Sequence, residues 1–257
     1  MTAPGLAEIL RTIDGQPATL VEPGSGEVTR LPDEWRSLVE AHDATIRRQT
    51  ALGLWTDEFL DFVPQFAEAL RVRLLDVRAC LVSGKPALIY AAQTDGGQLF
   101  SWLGRDSRSF GAEPPFWDLF PPPLRAFLQH VHAGLTAGPN AGFGPVAPEA
   151  METIAEMAEI VDTIETSDDD GEEIATDRLL VIATDGGLTN YCVCPDAPGQ
   201  IMVLYEGDLM RSDFATELDE LMVSAFQYAV PRSSRAGQRP VAARRLLPTA
   251  RRSARRV

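Results

Sequence analysis

The chain has 257 residues, 45% of them hydrophobic and 23% charged, enough apolar material for one large packed domain or two small ones. Its net charge of −14 is unevenly spread: residues 231–257 hold nine arginines and no acid, so residues 1–230 carry 14 basic against 37 acidic side chains, a net of −23. So acidic a body repels nucleic-acid phosphates and favours basic partners. The arginine-rich tail has three readings, a contact with nucleic acid, a contact folded back on the acidic body, or no role, and its lack of aromatics argues against the first.

A short helix is expected near Leu6 to Ile13, followed by two extended runs around the Pro-Gly-Ser-Gly turn of "ATLVEPGSGEVTRL". Residues 33–76 read mostly as helix, with Pro64 starting or kinking a turn and Phe66, Leu70 and Leu74 four apart on one face. In "VRACLVSGKPALIYAAQTDGGQLFSWLG" three strands are separated by Ser83-Gly84-Lys85-Pro86 and Thr94-Asp95-Gly96-Gly97, both favourable turn sequences. Residues 104–123, rich in proline, glycine and aromatics, mark a boundary between two lobes. The expected division is 1–110, an α+β region of unknown type; 111–230, a second lobe; and 231–257, a basic tail whose composition favours disorder.

In the second lobe a helix is expected from about Leu124 to Ala133, then the glycine-rich "GLTAGPNAGFGPVAP". A second helix is expected over about Glu149 to Ile164, because Met151, Ile154, Met157, Val161 and Ile164 step by three or four. After the acidic loop "ETSDDDGEE", the runs "RLLVIAT", "LTNYCVC" and "IMVLYE" predict a three-stranded meander turned at Asp185-Gly186-Gly187 and at "PDAPGQ". A last helix spans about Asp213 to Ala229, capped by Ser212 or Asp213, with Phe214, Leu218, Leu221, Met222 and Ala225 as its stripe. The word "TDGG" occurs at 94 and again at 184; recurrent turn chemistry explains this better than a duplicated lobe.

Candidate chemistry is sparse. Three cysteines, Cys80, Cys192 and Cys194, are too few and too odd in number for a disulfide framework. Cys192 and Cys194 lie two apart on a strand, so their thiols share a face, but the one-residue spacer is wrong for a zinc pair; small buried residues are the better reading. His130 and His132 are expected in a helix, where a spacing of two points them apart and prevents joint chelation. "EPGSGE" lacks the spacing of a nucleophile elbow, and "CLVSGKP" lacks the glycine and hydroxyl of a phosphate loop.

Between Glu149 and Asp177 there are twelve acids and no base. A calcium-loop alignment puts Thr166 at the first ligand position and Asp177 at the last, which argues against a calcium hand. Acids crowding the C-terminal end of the expected 149–164 helix would oppose its dipole, a small cost suggesting that the negative patch is wanted. No cofactor and no metal are expected, and the chain does not read as an enzyme. The opening "MTAPGLAEILRTIDG" lacks the pattern of a secretion signal, and no window holds 18 uninterrupted apolar residues, so a cytoplasmic protein without a membrane partner is expected.

The series "PPPLRAFLQHVHAGL", "GFGPVAPEAM", "LLVIATDGGLTNYCVCP", "GQIMVLYEGD" and "SDFATELDELM" resembles the SUKH superfamily of bacterial immunity proteins and yeast cell-wall-assembly regulators over residues 116–228. It departs from that family in having Ala133-Gly134 where two adjacent glycines are usual. The resemblance implies an α+β fold, a curved antiparallel sheet flanked by helices, here a SUKH-like C-terminal lobe with an additional N-terminal α+β lobe. It further implies a non-catalytic protein that binds and neutralises a toxin, a nuclease for instance. Taken with the charge, it makes Glu165, Asp168, Asp169, Asp170, Glu172 and Glu173 the candidate patch facing a basic toxin domain. The alternative is a cytoplasmic scaffold or regulator of the same fold with no toxin partner.

Overall fold

The computed structural model describes residues 5–9, 12–13, 16–137, 142–159, 162–167 and 171–228. It is an α+β protein in which two antiparallel sheets share one large core. The expected 231–257 tail lies outside the described residues.

The chain opens with α1 (Leu6–Ile9), β1 (Thr12–Ile13) and β2 (Gln16–Leu20). The second extended run expected after the Pro-Gly-Ser-Gly turn is instead a 3-10 turn over Gly26–Arg30. Four helices follow: α2 (Arg36–Glu40), α3 (Ala44–Leu52), α4 (Asp57–Phe62) and α5 (Pro64–Arg73). Their starts are encoded locally. Asp43 accepts hydrogen bonds from the Thr45 and Ile46 amides, and those bonds hold its carboxyl below the usual range. Thr56 caps α4 through the Phe59 amide, and Pro64 occupies the first turn of α5, where its missing N–H costs nothing.

Three long strands come next: β3 (Leu74–Val82), β4 (Lys85–Gln93) and β5 (Leu99–Asp106). The strands expected around Cys80 and Val82, over Ala87–Ala92 and over Gln98–Leu103 are therefore present, the third beginning at Leu99. Leu74, expected to continue a helix face, opens β3. The helix α6 (Pro122–His130) ends earlier than expected, and residues His132–Ala137 form β6. The first sheet runs β1-β2-β3-β4-β5-β6. Because β6 pairs with β5, the sheet crosses residue 110, and the largest core cluster likewise runs from Val21 to Phe226. Central β4 is buried on both faces: Leu88, Tyr90 and Ala92 belong to the main core, Ala87, Ile89 and Ala91 to a smaller cluster with Cys80 and Leu103.

The helix expected over 149–164 is a correction. The described residues between 144 and 165 form β7 (Gly144–Pro145), a 3-10 turn over Pro148–Ala150, α7 (Ile154–Ala158) and β8 (Thr163–Glu165). Thr153 and Glu156 make a capping box that starts α7 late, and Glu159, at φ 55°, closes it after five residues. Upstream, the chain is held extended against the next sheet by Ile154 N–H to Leu179 O and Val181 N–H to Glu152 O.

The remaining elements are β9 (Glu173–Ala175), β10 (Leu180–Thr184), β11 (Thr189–Val193), β12 (Gln200–Tyr205), β13 (Asp208–Asp213) and α8 (Phe214–Tyr228). The expected meander is present as β10-β11-β12, extended by β13, in a sheet ordered β13-β12-β11-β10-β7. Its two faces bury different sets. Ile201 and Val203 point into the main core under α8, while Met202 and Leu204 join Cys192, Cys194 and Leu209 in a second cluster. The glycine-rich loop lets backbones touch: a Cβ on Gly142 would lie 2.6 Å from the Gly186 amide, and one on Gly144 would lie 2.3 Å from the Leu135 carbonyl.

Candidate protein-binding surface

The acidic segment is a hairpin laid across the second cluster. β8 pairs with β9 in the register Thr163↔Ala175, Ile164↔Ile174 and Glu165↔Glu173. Alternation sends Ile174, 1% exposed, and Ile164 inward against the cysteine-bearing cluster. Buried Thr176 accepts the Asp162 amide and buried Thr166 accepts the Glu172 amide, which closes both ends of the ladder. The Ser167 amide donates to Leu209 O, seating the hairpin on the outer edge of β13.

The candidate acids therefore separate. Glu165 and Glu173 stand directly opposite each other and exposed, and among the described residues no arginine or lysine pairs with either. Glu172 turns instead to Arg211 of β13 and forms an ion pair. Asp168, Asp169 and Asp170 lie outside the described residues. The dipole cost expected of the patch does not arise, because α7 ends at Ala158 and its Glu156 sits in the first turn, where an acid is favourable. A different electrostatic cost replaces it: like charges directly opposite on neighbouring strands destabilise the pair.

The other candidates resolve into structure. Cys192 is completely buried and Cys194 nearly so, and burial pushes both thiols up, away from the reactive thiolate. The Cys194 thiol also lies 3.6 Å from Asp196 Oδ2; Arg178 holds that carboxylate with two bonds of 2.6 Å and keeps it below the usual carboxylate range. Among the described residues no three His, Cys, Asp or Glu side chains gather as a metal site. The two "TDGG" turns use different bonds. Thr94 Oγ accepts the Gln98 amide, whereas Asp185 accepts the Gly187 and Thr189 amides. Shared turn chemistry, with different solutions, accounts for the repeat.

His130 and His132 do not share a helix. His130 is the exposed last residue of α6, and His132 is a fully buried residue of β6. The helix stops because residues 132–137 are taken by β5. Tyr90 Oη lies 2.7 Å from His132 Nε2, Trp55 Nε1–H donates to Tyr90 Oη at 3.2 Å, and His132 Nδ1 lies 3.1 Å from Arg105 O. One assignment satisfies every group: Nδ1–H donates to the carbonyl and Nε2 accepts from the tyrosine. Burial lowers the His132 pKa to about 4, against smaller opposing effects from Arg105 O and Asp106. Both rings are at 0% exposure, so the network locks the core rather than meeting a substrate. A Cβ on Gly104 would come within 2.6 Å of the imidazole, which explains the glycine there.

Among the described residues three acids are buried, Asp76, Asp106 and Asp219, and two of them take partners far away in the chain. Asp76 receives a bidentate bond from Arg47 at 2.7 and 2.8 Å, and Arg47 donates on to Ala41 O and His42 O. Asp219 of α8, 3% exposed, accepts the Gln65 and Phe66 amides and so caps α5 from 153 residues away. No signal near either residue could have announced a partner so distant in the chain.

Among the described residues, no helix is long and apolar enough to cross a membrane. Comparison with protein-family models, with curated proteins and with solved structures finds no match.

Proposed function

We propose that this chain is a non-catalytic, cytoplasmic protein-binding module, similar to SUKH immunity proteins, that blocks a basic toxin domain through the edge formed by β8 and β9. The observation that carries this reading is the exposed Glu165–Glu173 pair. Two like charges face each other, with no arginine or lysine paired to either among the described residues, on a hairpin whose inner face is anchored by Ile164 and Ile174. Such an arrangement costs stability, so its benefit lies in an encounter with something positive. The −23 charge of residues 1–230 extends the same field over the approach.

The experiment is co-expression with the protein encoded by the neighbouring gene, followed by association kinetics at low and high salt. Converting Glu165, Glu172 and Glu173 to Gln and Asp168, Asp169 and Asp170 to Asn should slow association by about tenfold at low salt and much less at high salt. An association rate that does not change at low salt contradicts the reading.

A further inference from the structure

A second acidic surface lies on the opposite face of the same sheet, and its chemistry points to a different occupant. The register aligns Tyr191, Val203 and Met210 in one row across β11, β12 and β13, and Thr189, Tyr205 and Asp208 in the next. Residues opposite one another in an antiparallel sheet share a face. Here it is the α8 face, since Val203 belongs to the main core. Further along the strands Val193 and Ile201 are covered completely, but toward the β10–β11 turn the cover gives out: Met210 is 43% and Tyr205 45% exposed.

The rim of this uncovered step is acidic. Asp208 stands opposite Tyr205 in its row. Burial pushes the Tyr191 pKa up to about 12, and the nearby Asp185, Glu217 and Glu220 carboxylates add to that. From Leu179 to Tyr228 the chain has eight acids and one base, Arg211, which pairs with Glu172. Two tyrosine rings and a methionine framed by carboxylates suit a guanidinium, which stacks on aromatic faces and pairs with carboxylates at once. This chain carries its own supply: nine arginines and no acid in residues 231–257, just beyond α8. The 15 residues of α8 span about 22 Å, and 27 residues of extended chain reach about 90 Å, so the segment can return to the sheet. Tethering gives it a local concentration near the millimolar range, which an untethered basic partner rarely matches.

We propose that the face formed by Tyr191, Tyr205 and Met210, rimmed by Asp185, Glu217 and Glu220, is the docking surface for the chain's own arginine-rich segment, residues 231–257. The contact lies on the face opposite the β8–β9 hairpin and does not depend on any toxin. It partly neutralises the acidic body and covers the exposed Tyr205 and Met210.

The test uses the full chain and a synthetic peptide of residues 231–257. A full-length variant with all nine tail arginines changed to glutamine frees the surface. It should bind the peptide at least tenfold more tightly than the wild-type chain, whose tail competes. In that variant, Tyr205→Ser with Met210→Ser should weaken the peptide at least fivefold, while Glu165→Gln with Glu173→Gln should leave it within twofold. Equal affinity for both full-length chains, no binding, or a loss that follows the hairpin pair and not Tyr205 and Met210 overturns the proposal. A wild-type dimer that dissociates on tail neutralisation would assign the surface to a second copy and overturn the contact within one chain.

Discussion

Asp76 and Glu165 are both carboxylates on strands, yet they sit in opposite electrostatic settings. Asp76, in β3, is 5% exposed and gripped by Arg47 through two short bonds. Glu165, in β8, is exposed, faces Glu173, and is paired with no basic residue among those described. The same division holds more widely. Asp106 is held by Arg108 and Asp219 caps α5, so the buried acids of the main core are each bound to an internal donor. Glu165 and Glu173 of the β8–β9 edge are presented outward. The comparison teaches that the large negative charge is not one property: part of it is consumed in internal bonds, as at Asp76, Asp106 and Asp219, and part is displayed.

The largest expected effect comes from breaking the consumed kind. Arg47→Ala leaves Asp76 buried without its partner and the Ala41 and His42 carbonyls without a donor, so unfolding in urea should show a loss of about 3–5 kcal/mol. A loss under about 1 kcal/mol would show that water or a neighbour replaces the guanidinium, and the contrast with the hairpin would weaken.

A second experiment uses pH. His132 is neutral in the folded chain with a pKa of about 4, below the ordinary histidine value of 6.5. Between those values the unfolded chain binds more protons, so stability rises with pH across that window and falls as pH drops through it. The largest difference is about 3 kcal/mol, reached near pH 4. His132→Gln should remove this part of the slope, whatever it costs at neutral pH through its lost bond to Tyr90. Wild type and variant with parallel stability curves from pH 7 to pH 4.5 would show that water reaches the imidazole.

Much of this architecture was legible in the chain, and the misreadings have specific causes. The β3-β4-β5 and β10-β11-β12 meanders were readable because β-branched and aromatic runs alternate with Gly-containing turns. The 149–164 segment has a helical period by coincidence, and the competing signal was Thr153–Glu156, a capping box that starts a helix in the middle of the run. The strand β13, "DLMRSD", was missed because only Leu209 is buried, and β6, "HAGLTA", because small residues carry no period. The acids of the candidate patch were legible as composition. Which of them face outward was not, since that depends on the Glu165↔Glu173 register and on Arg211, 39 residues beyond Glu172.

The central claim is that the displayed charge serves an encounter and not the fold. The most direct test needs no partner: thermal and urea unfolding of the full chain carrying Glu165→Gln and Glu173→Gln. Removing two facing like charges should leave stability unchanged or raise it by a few tenths of a kcal/mol, with the gain shrinking as salt is added. A loss of more than about 1 kcal/mol would mean that these carboxylates hold the hairpin together, and would contradict the account.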